Sequence, residues 1–235
     1  MTQRNRGKTS SDDQYFAPKW YPIFTQAVDD FCYLLSRNYA APSVLAIVGN
    51  HYRLNKRQRN AISRIVASDQ AVLQRQANSC ETSILKNQVV AIDGFNLLIW
   101  LESALSGAYI FKGRDGVYRD ISSVHGSYKR VRQTESAIHL VGKTLQALGI
   151  KSAQWYFDKP VSNSGKLKAR LLEISQAEGF NWEATLVFNP DQVLAQSEAI
   201  VISSDGWILD QCKCWFNLNA YLLEERLLEA QVIVV

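Results

Sequence analysis

No apolar run in this chain reaches the roughly 18 residues that a membrane-spanning helix needs. The opening stretch, MTQRNRGKTSSDDQ, is polar and lacks the apolar core of an export signal, so a cytoplasmic protein with no membrane partner is expected. Histidine and cysteine are scarce, at three and four residues in 235. The cysteines stand at 32, 80, 212 and 214, and the Cys212–Lys213–Cys214 pair is too closely spaced for a zinc knuckle. Reduced thiols are the expectation. A G-x-x-x-x-G-K phosphate loop is missing, and no Ser or Cys stands in an evident nucleophilic triad. These absences leave carboxylates as the residues best placed to carry chemistry.

The net charge of +4 is unevenly distributed. Residues 1–87 hold 12 Lys and Arg against 6 Asp and Glu, whereas residues 88–235 hold 14 against 16. A basic front half joined to an acid-bearing back half suits a polyanion binder coupled to a cation site; many solvated helical faces are equally basic. Residues 1–14 have the polar, aperiodic character of a disordered arm. Residues 15–80 read as a helical domain. Phe24, Val28, Phe31 (or Cys32) and Leu35 line one face of a first helix, "APSVLAIVGNHYRL" gives a second, and a third runs on from Asn55 as N-cap. Lys56, Arg57 and Arg59 crowd that helix's first turn, where the macrodipole favours negative charge. A phosphate backbone would neutralise them; plain solvation is the alternative. Residues 78–87 read as a linker.

From residue 88 to 235 the pattern becomes alternating strands and helices. Four short runs, VVAI (89–92), AQWYF (153–157), EATLVF (183–188) and AIVISS (199–204), read as buried strands, with VIVV (232–235) as a fifth. Helices are expected over 96–105, 130–148, 165–178, 190–197 and 207–228, and Asp115–Gly116 reads as a hairpin turn. The fold class is α/β with a mainly parallel sheet, preceded by a small all-α domain. Asp93, Asp158 and Asp205 directly follow three of the strand runs, and Asp191 lies three residues past a fourth. In an open parallel sheet, ligands bind outside the carboxyl ends of the strands. Carboxylates converging there need a shared proton or cation, and a hard oxygen set selects Mg²⁺ or Mn²⁺. A metal-activated water acting on a phosphodiester is the chemistry this pattern favours. Taken singly, Asp191 also suits a helix start and Asp158 a turn.

"VVAIDGFNLL", with Asp93 and Asn96 as its Asp-Gly-x-Asn, resembles the first strand of the NYN branch of PIN-like ribonucleases. "NPDQVLAQSEAIVISSD", with Asp191 and Asp205, resembles the later part of such domains, and Asp158 is a looser match. Over roughly residues 88–210 the resemblance implies a three-layer α/β/α sandwich and RNA cleavage. It further implies Mg²⁺ or Mn²⁺ held by Asp93, Asp158, Asp191 and Asp205, with Asn96 orienting substrate or water. Glu102 and Glu135 are alternatives to Asp158. A wider resemblance is carried by "LLSRNYAAPSVLAIVGNHYRLNKRQRNAI", "AIDGFNLLIWLESALSGAYIFKGRDGVYRDISSVHGSY", "FDKPVSNSGKL" and "SSDGWILDQC". Those stretches resemble a prokaryotic family that joins a small helical domain of unknown function to a PIN-like one, which implies no activity. "SDGWILD" (204–210) also resembles the late motif of haloacid-dehalogenase-like phosphatases, but Asp93-Gly94-Phe95 breaks the Asp-x-Asp that those enzymes require.

RNA is the expected partner, tRNA or another structured RNA among the candidates, with a homo-oligomer left open. His125, Lys129 and Arg130 beside Tyr128 suit single-stranded RNA, by charge plus stacking. Ser162, Asn163, Ser164 and Lys166 precede a helix and suit a phosphate cradle, or a simple Asn/Ser cap. A non-catalytic nucleic-acid- or protein-binding module on the same fold is the competing expectation.

Overall fold

The computed structural model describes residues 6–122, 126–227 and 229–235. Over residues 6–14 the expected disordered arm is instead fastened to the protein. Arg6 pairs with the fully buried Glu102, and Asp12, which opens the one-turn helix α1 (Asp12–Tyr15), pairs with Arg57 at 2.8 Å. Each anchor is a charge pair to a residue far along the chain, and periodicity does not register such contacts.

Helices α2 (Tyr21–Leu35) and α3 (Ala41–His51) bury the expected stripes, with Phe24, Val28 and Phe31 on the first and Val44 and Val48 on the second. The single helix expected after Asn55 is two helices, α4 (Lys56–Ile65) and α5 (Asp69–Asn78). Asn55 closes a capping box with Gln58. Ser68 caps afresh, its hydroxyl accepting from the Ala71 N–H, after Val66 has gone extended. The linker is packed too: Leu85 is fully buried and the Cys80 N–H donates to the Trp215 carbonyl.

Strand β1 (Val89–Asp93) runs without a loop into α6 (Gly94–Leu105). A hairpin of β2 (Ile110–Lys112) and β3 (Tyr118–Arg119) follows, then α7 (Thr134–Ala147), β4 (Ser152–Asp158) and α8 (Ser164–Glu178). The chain ends with β5 (Trp182–Val187), α9 (Pro190–Ala195), β6 (Ile200–Ile202), α10 (Gly206–Gln211), α11 (Leu218–Glu225) and β7 (Val232–Ile233). Four strands form a parallel sheet in the order β5-β4-β1-β6. Alternation along the strands sorts the two faces. Val90, Ile92, Trp155 and Phe157 pack with Leu98 of α6, Ile138 of α7 and Leu171 of α8, while Ala91 and Val201 pack with Leu194 of α9 and Ile208 of α10. The fold is therefore three-layered α/β/α.

Two expected elements are placed differently. The terminal run does not join the main sheet; β7 pairs with β2 in a second sheet, β3-β2-β7. Phe111, Ile121 and Ile233 complete the apolar core of α2–α4, so the boundary near residue 80 divides the sequence but not the packing. The helix expected over 207–228 is broken into α10 and α11. Between them Cys214–Phe216 lies along β6, with Val201 N–H donating to Cys214 O and Phe216 N–H to Val201 O, and Asn217 caps the restart.

Gly94 is needed for close approach, since a Cβ there would lie 2.2 Å from the Phe157 ring. Gly94→Ala should cost roughly 1–3 kcal/mol through overpacking, read as a lower urea midpoint with an unchanged slope.

Candidate functional site

From β1 the chain moves outward to β4 and β5, then crosses back to β6 on β1's other side. The β1/β6 boundary is thus the point where strand order reverses, and open α/β sheets bind ligands outside the carboxyl ends of the strands at such a point. Asp93 ends β1 and Asp205 follows β6. Asp93 is 7% exposed; its carboxylate accepts from the Asn96 N–H at 3.2 Å and from the Ser203 hydroxyl at 2.9 Å. Ser203 in turn accepts from the Asp205 N–H at 3.1 Å, so one hydroxyl joins the two acid-bearing turns. The Asn96 carbonyl oxygen is held by the N–H and hydroxyl of Ser204, at 2.9 and 2.8 Å. Asn96 therefore fixes the β6 turn by this atom. Asp205 caps α10, accepting from Trp207 and Ile208 N–H groups.

Burial pushes the Asp93 carboxyl up to about 7; the Ser203 and Asn96 bonds oppose this, and the charges of Asp205 and Asp191 reinforce it. Asp191, exposed in the first turn of α9, is raised by desolvation and then by Asp205 and Asp158. Asp158, half-buried at the end of β4, is raised by desolvation. The four acids therefore share one edge and one negative field. Among the described residues, no three His, Cys, Asp or Glu side chains are gathered into a ready metal shell. The donor chemistry fits an ion that takes one or two carboxylates and completes its shell with water and substrate oxygens, as Mg²⁺ does.

Glu102 and Glu135 stand elsewhere. Glu102 is sealed under Arg6, Tyr128 and Thr134, and burial keeps its carboxyl raised despite those partners. Glu135 pairs with Arg170 across α7 and α8 at 2.8 Å.

The Asp205 turn is gripped from outside by two buried arginines. Arg119 Nε donates to Ser204 O at 2.7 Å and Arg75 Nη2 to Gly206 O at 3.2 Å, the carbonyls on either side of Asp205. Both arginines bind the buried Asp115, Arg75 at 2.5 Å and Arg119 at 2.6 Å, and Arg75 also takes Asp210 at 2.7 Å. Burial alone would raise Asp115, but the two guanidinium groups hold it below the ordinary carboxylate range. Arg75 belongs to α5, so the N-terminal helices reach into this turn.

Several nucleic-acid candidates are used internally. Arg57 binds Asp12, Gly7 O and Ile121 O, and Arg59 binds Leu54 O and Asn50; only Lys56 of that trio is exposed. These guanidinium groups meet carbonyls and side chains of their own chain. The expected cradle is largely closed: Ser162 N–H donates to Gly126 O, Tyr128 N–H to Ser162 O, and Asn163 Nδ2 to Tyr128 O, while Ser164 is buried. Tyr128 is 1% exposed and unavailable for stacking. His125 lies outside the described residues. The Ser127–Ser162 bridge ties the segment that carries the exposed Lys129 and Arg130 to the loop after β4, which leads into α8 and the exposed Lys166. The sequence reading passed over Phe188 and Trp207, 75% and 50% exposed, and Lys159, whose ammonium lies 4.7 Å from the Phe188 ring centre. Their signal was faint: single aromatics two or three residues from an acid, and a lysine next to one.

Residues 82–221 match the family model described as "Domain of unknown function (DUF5616)", and residues 23–77 match "Protein of unknown function (DUF434)". The chain belongs to the first of these families. It is also 34% identical over 187 residues to the uncharacterized protein MJ0935 of Methanocaldococcus jannaschii, covering 77% of this chain and 89% of the relative. No solved structure matches. No helix among the described residues is long and apolar enough to cross a membrane.

Two outcomes follow from the electrostatics. Because the folded Asp93 carboxyl titrates near 7 instead of 3.8, its contribution favours the fold at low pH and is lost as pH rises through 7. In chelator, Asp93→Asn should raise Tm relative to the parent more at pH 8 than at pH 5; a pH-independent difference would contradict this. Asp115→Ala leaves two buried guanidinium groups without their carboxylate and should cost at least about 3 kcal/mol in chemical denaturation.

Proposed function

We propose that this chain is a metal-dependent, PIN-like ribonuclease that hydrolyses RNA phosphodiester bonds with a water molecule, acting in the cytoplasm. One observation carries the reading: Asp93, Asp158, Asp191 and Asp205 share the carboxyl edge of a parallel sheet, and Asp93 and Asp191 are each raised by burial and by other acids of the set. Uncompensated charge of that kind calls for a cation. When bound, Mg²⁺ or Mn²⁺ would neutralise the scissile phosphate and acidify a water.

The remaining work falls to the chain's own residues. Asp93 and Asp205, tied through Ser203, would hold the ion, with Asp191 and Asp158 extending the shell through water. Ser203 keeps one Asp93 oxygen oriented, and the Asn96–Ser204 bonds hold the two turns in register. Lys129, Arg130 and Lys166 would take phosphates on the flank nearest β4. The four free thiols suit a reducing compartment.

The competing reading, a binding module that retains the acids, is favoured by the lack of a gathered three-ligand group among the described residues. Incubation of purified protein with labelled RNA and Mn²⁺ separates the two. Cleavage by the parent that falls at least 100-fold in Asp93→Asn, with RNA binding retained, supports hydrolysis. Equal cleavage by both proteins, or none by either, removes it.

A further inference from the structure

Exposed aromatic rings are few on the α/β body. The large exposed apolar side chains include four aromatics: Tyr33 on α2, Tyr39 between α2 and α3, and Phe188 and Trp207. Those last two both stand at the carboxyl edge of the parallel sheet. Phe188 follows β5 and precedes the turn to Asp191, while Trp207 follows Asp205 and donates its backbone N–H to that carboxylate at 2.9 Å. β5 and β6 are the outer strands of the four, so three strand spacings, about 14 Å, separate these two strand ends, with Asp158 and Asp93 between them.

The neighbourhood of Phe188 carries a cation as well. Asp158 pairs in register with Val187, the Lys159 N–H donates to Val187 O at 2.7 Å, and the Lys159 ammonium lies over the Phe188 ring. Ring and ammonium thus offer a stacking face and a phosphate contact at one place, beside an acid. A protein partner would favour one contiguous apolar patch. Here two exposed rings stand at the outer strand ends, with the acids of the two middle strands between them. That spacing suits a ligand alternating flat apolar faces with anionic links.

We propose that Trp207 and Phe188 are two base-stacking platforms flanking these acids, so that this edge takes an unpaired nucleic-acid strand and discriminates against paired duplex. The inference rests on the nuclease reading for the role of the acids, but not for the stacking itself. Bases in a duplex are already stacked on each other and present only their edges; unpaired bases have free faces for the rings. Both side chains are exposed, so truncating them leaves the core intact.

The test measures binding of the full chain in Mg²⁺ by fluorescence anisotropy, using a single-stranded oligoribonucleotide, an abasic strand of equal length and a duplex. Cleavage is read on a gel from the same samples. Trp207→Ala and Phe188→Ala should each weaken single-strand binding roughly 5- to 100-fold, with Trp207→Tyr close to the parent. The parent should bind the abasic strand at least as weakly as either Ala variant binds the base-bearing one, since both stacking contacts are lost there, and duplex binding should not respond to either substitution. Equal affinity for base-bearing and abasic strands, or Ala variants that bind like the parent, overturns the proposal even where metal-dependent cleavage persists. Ring-dependent binding without cleavage by the parent supports the platforms and removes the nuclease reading instead.

Discussion

The carboxylate of Asp115, buried between the guanidinium groups of Arg75 and Arg119, is the contact on which the rest of the architecture turns. It joins three parts of the sequence that no local pattern connects: α5 of the N-terminal helices, the β2–β3 hairpin, and the turn that carries Asp205. An isolated buried carboxylate is costly, yet here two guanidinium groups flank it and are themselves held by Asp210, Ser204 O and Gly206 O. Gly206 allows that approach, since a Cβ there would lie 2.8 Å from Arg75 Nη2. The helical region and the α/β body consequently behave as one unit around the candidate site. The basic front half of the chain is explained in part by this internal pairing, through Arg6, Arg57 and Arg75, and less by an outward polyanion surface.

The contrast between two buried acids defines the site. Asp115 has two arginines and is held below its ordinary range; Asp93, equally enclosed, has only hydroxyl and N–H donors and other acids, and is pushed up to about 7. The fold neutralises one buried carboxylate with two arginines and leaves the other with acids for neighbours.

Much of this was legible in the sequence, and the parts that were not share a cause. The strands β1 and β6 showed as apolar runs because burial on both faces suppresses alternation, β4 and β5 showed through their aromatic and β-branched residues, and the acids at or past their ends were conspicuous against that background. Asn55 announced its helix because capping is local. What escaped were long-range relations. The fastening of Arg6 to Glu102, the second sheet formed by β7 with β2, and the closure of the Ser162–Ser164 loop on Gly126 and Tyr128 all join residues that the sequence separates widely or leaves ambiguous. Lys56, Arg57 and Arg59 looked alike as charges, and only the packing distinguishes the exposed lysine from the two committed arginines. Exposure was equally hidden: Tyr128 looked like a stacking residue and is buried, whereas Phe188 and Trp207 are the rings that face solvent.

If the acids at this sheet edge form a cation site completed by water and substrate, as we propose, the chain takes up a divalent ion without any added ligand. Titration of the full chain with Mn²⁺ at pH 7.5, followed by the loss of the free-ion electron paramagnetic resonance signal, tests it most directly. The account predicts one saturable ion per chain, lost in both Asp93→Asn and Asp205→Asn and retained in Glu102→Gln. No saturable binding by the parent, or binding indifferent to Asp93 and Asp205, would contradict it.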